Sequence, residues 1–587
     1  MSMHNILTKK LSARGFNFNV RKIENLDCQS NDTESSIIEN DIEKFEIDIS
    51  GHTGVGIRSC TISLILPLFK GNVYEINGIS RAIVRRARID YSYILKGKKY
   101  IIDNPSKIFM LKINEVICNS LENFFHTGSI PPENVIQNSV DNFLKSDRLC
   151  QFIPDSNIAR KSIPEMIYFD ETIDKGLSPE AIENRNFPSQ LAGLVDYAST
   201  GAGNNINYSY RLVKGTKINT KGELILNDQG NLFCSTIQDN AIGIEYNSKR
   251  VHLLRAQYEQ SLDVVNSEIP YIKAKNSKLQ GMHFNTAIMN LSHNTYEDAI
   301  AFSESAAARF KCIRKYTIKS NTVFDTQVMI SVGQKVNSLT PIFDESDQED
   351  RVHSIVCTNI KGIGTVSSIK RYNSSCYGRE TIRIVVEIKE ECNLRPGDKI
   401  TTRGGIKGVA VVVPDNKMPH LKDNGSIVPI DVCLSIQSVY NRQSVVTLWE
   451  MAANKYSIDN KEELISVPFN EPFSFKTLVD NGYGKMTQLY IKDTKLSNLT
   501  YVNPLFFMRN DKIAHEVLSY KDSKQNLNTN EIPVAGPRAS GQRLDMANRE
   551  NIDFKDLKNI SKAMSKKSHG RAYVFNLLRS IKNDSIK

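Results

Sequence analysis

Five cations and four glycines crowd into RPGDKITTRGGIKGVAVVVPDNKMP, residues 395–419. Lys399, Arg403 and Lys407 recur every fourth position, with Gly397, Gly404, Gly405 and Gly408 among them. A backbone without Cβ atoms can come close to phosphate oxygens, and ammonium groups act on those oxygens as point charges. The spacing is not that of a Walker loop, because Lys407 is followed by Gly408 rather than by Ser or Thr. On residue types alone the stretch reads either as a solvated basic hairpin or as a phosphate cradle.

A second constellation is Glu297-Asp298 within SHNTYEDAIAFSES, residues 292–305. Paired carboxylates can approach a divalent cation. Thr295-x-x-Asp298 ahead of AIAFSESAAARF also fits a helix start, where acids are favoured by the dipole. His293, His420 and His569 have no second histidine at metal spacing and read as polar surface residues. None of the 10 cysteines stands as C-x-x-C, so neither a disulfide framework nor a zinc site is indicated, and a reducing compartment is expected.

The elements that must position these groups follow from patterning. With 587 residues, 40% hydrophobic and 24% charged, the chain has material for several domains. It has no apolar run of membrane-spanning length and no apolar stretch behind its basic start, which predicts a soluble, unsecreted protein. A net charge of +10 favours an anionic partner, nucleic acid above all. Residues 24–50 are acidic and 79–114 basic, a pattern that two solvated faces also explain. EKFEIDIS, NVYEING and KYIIDNP alternate as strands, with Asn77-Gly78 a turn signal. Apolar spacing predicts helices in 113–150 and 178–200, an exposed loop in TGAGNNINYSY, and an all-β stretch over 311–394 whose tip, DESDQEDR, is acidic. Val409–Val413 reads as a buried strand, and AYVFNLLRSI (572–581) as the apolar face of a basic helical tail.

RPGDKITTRGGIKGV resembles the V-G-D-K-x-x-x-R-H-G-x-K-G-V signature of the β (second-largest) subunit of multi-subunit DNA-dependent RNA polymerases. The following MPHLKDNGSIVPIDVCLSIQSVYNR is similar to its M-P-x-x-x-x-G-x-x-x-D-I-x-L-N-P-x-x-x-P-S-R continuation. FPSQLAGLVDY with YRL resembles the fork, SHNTYEDAIAFSES the E-D motif, NPLFFMRNDKIAHEVLSYKD the Y-M-L-K-L-x-H-x-V-x-D-K segment, and ASGQRLDMAN the clamp; these fall in the family's order over about 180–587. NVYEINGISRAIVRR resembles a protrusion strand.

The resemblance implies a mixed α+β, multi-domain fold. A double-psi β-barrel would be interrupted by an all-β flap or wall insertion, with a helical fork region and a C-terminal clamp segment. It implies a protrusion-like region over 1–103, a lobe-like helical region over 104–178 and the fork over 179–249. The barrel halves would be 250–308 and 395–530, the insertion 309–394 and the clamp 531–587. It further implies that Lys399 and Lys407 hold the RNA 3′ end and the nucleotide phosphates, with Arg442, Arg250, Gln260 and Arg403 as substrate contacts; Arg255 competes with Arg250 for its role. Asp298 and Glu297 would approach a second Mg2+ through water.

The family's principal metal ligands, three aspartates in N-A-D-F-D-G-D, are absent here. A β′-type chain carrying them, a separate N-terminal β-type chain, a promoter-specificity subunit, template DNA, RNA and nucleoside triphosphates are therefore the expected partners. The shortened chain and diverged motifs resemble the split polymerases of large-genome bacteriophages, which implies the host-cell cytoplasm or a virion. A non-catalytic nucleic-acid-binding or assembly protein on the same scaffold is the alternative.

Overall fold

The computed structural model describes residues 16–513 except 24–41, 54–55, 68, 77–78, 91–98, 121–132, 155–156, 170–190, 192, 197–198, 201–208, 214, 220–221, 226–240, 244–245, 247–255, 275–278, 321–324, 347–352, 359, 361, 377–378, 424–425 and 467–472. The loop at 201–208, Arg250, Arg255, the outer part of the acidic tip, His569 and the 572–581 tail lie outside the described residues. The fold is mixed α+β with large sheets.

In the N-terminal part, strands Phe16–Ile23, Ile42–Thr53 and Gly56–Pro67 form an antiparallel sheet. Ile47, Ile49, Ile62 and Leu64 alternate along it and are buried against helices Pro105–Ser120 and Glu133–Ser146 through Ile113, Ile117, Ile136 and Val140. The strands that flank Asn77-Gly78 pair antiparallel, with Ile76 opposite Ile79. The helix expected over 178–200 gives way, where described, to a strand: Val195 and Asp196 pair with Leu212 and Arg211. Leu191, Val195, Tyr210 and Leu212 bury together there, so sheet packing overrides the helical spacing.

Beyond residue 280, six strands close on themselves. They are β1 (Met282–Ile288), β2 (Ala299–Ser303), β3 (Lys399–Thr402), β4 (Lys407–Val413), β5 (Val432–Leu434) and β6 (Thr494–Arg509). The order is β1-β5-β2-β4-β3-β6, and β6 returns to pair with β1. The β1–β5 and β2–β4 contacts are parallel and the rest antiparallel. Phe284, Ile300, Phe302, Ile400, Ala410, Val432, Leu434, Leu505 and Phe507 belong to one core cluster, while Ala287, Ala301 and Cys433 belong to another. That is the period-two alternation of strands buried on both faces. Phe284, Phe302, Phe310 and Phe507 meet at ring distances of 5.1 to 6.1 Å.

Closure changes one expectation. Ala299–Ser303 is not a helix start but β2, held between β4 and β5. Ile300, Ala301 and Phe302 are all buried, and such a two-faced apolar run belongs inside a sheet. The helix begins only at Glu304, where the Ser303 hydroxyl accepts the Ala306 N–H at 3.1 Å.

Between β2 and β3 the described residues of 312–392 form strands only, in two sheets. Strands Cys312–Lys319, Gly364–Cys376 and Arg379–Cys392 build the larger one, with a core around Val336, Phe343, Val386 and Ile388. Among the described residues no helix is long and apolar enough to cross a membrane.

Candidate phosphate-binding site

Strands β3 and β4 make an antiparallel hairpin in which Lys399 faces Val409 and Thr401 faces Lys407. The two lysines are thus diagonal neighbours on one face of the pleat, with about 7–8 Å between diagonal positions. Both side chains are half-buried. On the opposite face Ile400 enters the barrel core, which fixes the register and so fixes which way the lysines point.

Gly408 is set by protein rather than by phosphate. A Cβ there would lie 2.4 Å from the Asp298 carbonyl oxygen and 2.6 Å from Ile300 side-chain atoms. Gly404 is similar, because its Cβ would meet Thr447 Oγ1 at 2.6 Å. At these two positions, the expectation that glycines keep a phosphate loop open is replaced by close packing between β4, β2 and the helix Val445–Asn460.

Three chain segments converge on the lysine face. The Lys399 N–H donates to the Lys512 carbonyl at 3.0 Å, and the Asp511 N–H donates to the Gln260 carbonyl at 2.9 Å. Lys407 Nζ donates to Gln260 Oε1 at 3.5 Å. Burial lowers the pKa of Lys399, and the nearby charge of Lys512 lowers it further. Lys407 is lowered first by burial and then by Lys512 and Lys399, against an opposing pull from Asp511. Mutually repelling cations of this kind are stabilised by an anion that spans them, so the face is suited to a polyphosphate or phosphodiester.

Arg442 joins this group from the segment before the helix Val445–Asn460. Its Nη2 donates to the Lys407 carbonyl at 3.4 Å, its Nη1 donates to the Ser438 carbonyl at 3.3 Å, and its guanidinium pairs with the Asp298 carboxylate. Ser438 Oγ donates to the Glu297 carbonyl at 3.0 Å, and the Asp298 carbonyl accepts the Val409 N–H at 2.8 Å. Glu297, with φ of 51°, is exposed, and so is Asp298. Among the described residues no three His, Cys, Asp or Glu side chains gather as a metal cluster. Two exposed carboxylates, one of them paired with Arg442, do not by themselves make an inner-sphere site for a divalent ion.

The structure thus brings together Lys399, Lys407, Gln260, Arg442, Asp298 and Glu297. Arg403 is a correction. It is fully buried, donates to the Ile272 carbonyl and lies 5.9 Å from the centre of the Phe506 ring. Its charge acts on the buried Glu450 instead of on the lysine face. Lys512 and Asp511 were missed by sequence reasoning, although N-D-K directly after the apolar run PLFFMR was a usable signal. Asp398 is structural: fully buried, it accepts the Arg395 N–H at 3.0 Å and pairs with buried Arg509 at 2.7 Å. His293 is exposed, as expected, whereas His420 stacks 6.1 Å from Tyr490.

No curated protein matches the chain. Residues 312–515 match the family model for RNA polymerase Rpb2, domain 6, a stretch that holds the strand-only segment, the lysine hairpin, Arg442 and Lys512, and this part of the chain is similar to the β (Rpb2-like) subunit of multi-subunit RNA polymerases.

Proposed function

We propose that the chain is a β-type component of a DNA-directed RNA polymerase and supplies the basic half of its nucleotidyl-transfer site. The observation that carries this reading is the pair Lys399 and Lys407, half-buried on one face of a hairpin and charge-coupled to Lys512. The six-strand closure, with two parallel contacts, supports reading the scaffold as a double-psi barrel, and the strand-only stretch supports reading 309–394 as the flap or wall insertion.

In RNA growth the 3′ hydroxyl attacks the α-phosphate and pyrophosphate leaves. Mg2+, held mainly by the β′-type partner, would stabilise the entering and leaving oxygens. Lys399 and Lys407 hold the RNA end and the triphosphate at fixed distances and offset charge on the departing pyrophosphate. Gln260 orients Lys407 through its hydrogen bond. Arg442, tied to the Lys407 backbone, adds a planar cation for the triphosphate. Asp298 and Glu297 would approach a second Mg2+ through water.

The test is to purify the native complex through this chain and identify its subunits by mass spectrometry. Co-purification of a chain bearing N-A-D-F-D-G-D, together with template-directed RNA synthesis, is the expected result. A chain that binds nucleic acid but recovers no such partner and no synthesis would instead be a non-catalytic binding protein.

A further inference from the structure

Cys312 and Cys392 stand at the two ends of the all-β insertion, and the register of its first and last strands makes them direct antiparallel partners. Opposed residues in such a pair have Cα atoms about 4.5–5.5 Å apart, inside the range of about 4.4–6.8 Å that a disulfide spans. Both side chains are buried, at 0% and 5% exposure, and lie in one small cluster. They pack with Ile513 and Leu262, close in sequence to Lys512 and Gln260 of the phosphate-binding face. On its outer side Cys312 is covered by a strand of only two residues, Asp263–Val264, whose opening would admit a small oxidant. Neither sulfur has a part in the function proposed above.

The geometry points to a reversible disulfide between Cys312 and Cys392, formed by oxidation with a hydroperoxide, that clasps the neck of the insertion. The Cys392 thiol lowers the Cys312 pKa, burial opposes this and the nearby Arg509 charge adds to it; Cys312 is taken as the attacking group, and the product is the same if Cys392 attacks first. Its sulfur attacks the peroxide and the O–O bond breaks. Water leaves, and the sulfur is left as a sulfenic acid. The Cys392 sulfur then attacks that sulfur. The S–S bond forms, the S–O bond breaks, and the hydroxyl departs as water with the Cys392 proton. Overall the two thiols lose two electrons and two protons, and hydrogen peroxide becomes two waters. A dithiol reverses the reaction by exchange.

The clasp joins strands already paired over eight residues. It therefore limits fraying at the neck without changing register.

The experiment treats the full chain with hydrogen peroxide under native conditions, denatures it, blocks remaining thiols by alkylation, and maps peptides without reduction. Exposed Cys357 is the internal measure of peroxide dose. The expected product is a linked pair of peptides holding Cys312 and Cys392, lighter than their sum by two hydrogens, which dithiothreitol separates. Cys312→Ser and Cys392→Ser should each abolish it, and the wild-type map decides the question even if a variant fails to fold. The proposal is overturned if both thiols stay alkylatable at doses that oxidise Cys357, if they end as sulfinic acids, or if they bridge to other cysteines.

Discussion

Glu450 gives the barrel a pH dependence that can be worked out from its surroundings. It is fully buried on the helix Val445–Asn460, and burial raises its pKa from 4.5 to about 7, with the Arg403 charge and the Phe506 backbone pulling it back down. The folded protein therefore binds this proton more tightly than the unfolded chain. The resulting stability is fully present below pH 4.5, falls as pH rises through about 7, and is gone above it. The difference corresponds to about 3 kcal/mol, at 1.36 kcal/mol for each pH unit of displacement. Glu450→Gln keeps the shape and removes the titration. Thermal unfolding of both proteins between pH 4 and pH 9 should show the wild type losing roughly 6–12 °C more than the variant, at about 2–4 °C per kcal/mol. Parallel curves for the two proteins would refute the reasoning, because they would mean that Glu450 is either solvated or permanently ionised.

Gly408→Ala should cost about 1–3 kcal/mol, because its Cβ meets an Asp298 backbone oxygen that cannot move without parting β2 from β4; calorimetry measures the loss, and an unchanged melting point contradicts it. Asp398→Asn should cost about 3–5 kcal/mol by leaving the buried Arg509 charge without its partner. Denaturant unfolding reads that cost, and adding Arg509→Met should recover part of it.

What could be read from the sequence was whatever depended on local alternation or on a contiguous run of polar residues. The strands around EKFEIDIS and KYIIDNP, the strand at Val409–Val413 and the strand-only stretch after residue 311 all declare themselves by period or by β-rich composition. Lys399 and Lys407 were visible as residues, yet their common face depends on hairpin register. The failures have a shared cause. AIAFS looks like the start of a helix because its apolar run is short and a helical ESAAAR follows, and only pairing on both edges makes it a strand. Arg403 looks like one of three equivalent cations. It is buried because the turn after β3 directs it toward Ile272 and Phe506, far away in sequence. Lys512 joins the site from the far end of β6, a juxtaposition that no spacing within 395–419 could reveal.

The central claim is that the lysine face neutralises phosphate charge during RNA extension, and single-nucleotide addition by the assembled complex tests it most directly. Lys399→Ala and Lys407→Ala should each slow addition, by on the order of 100-fold, while the complex still assembles. Wild-type rates of addition in both variants would contradict the account.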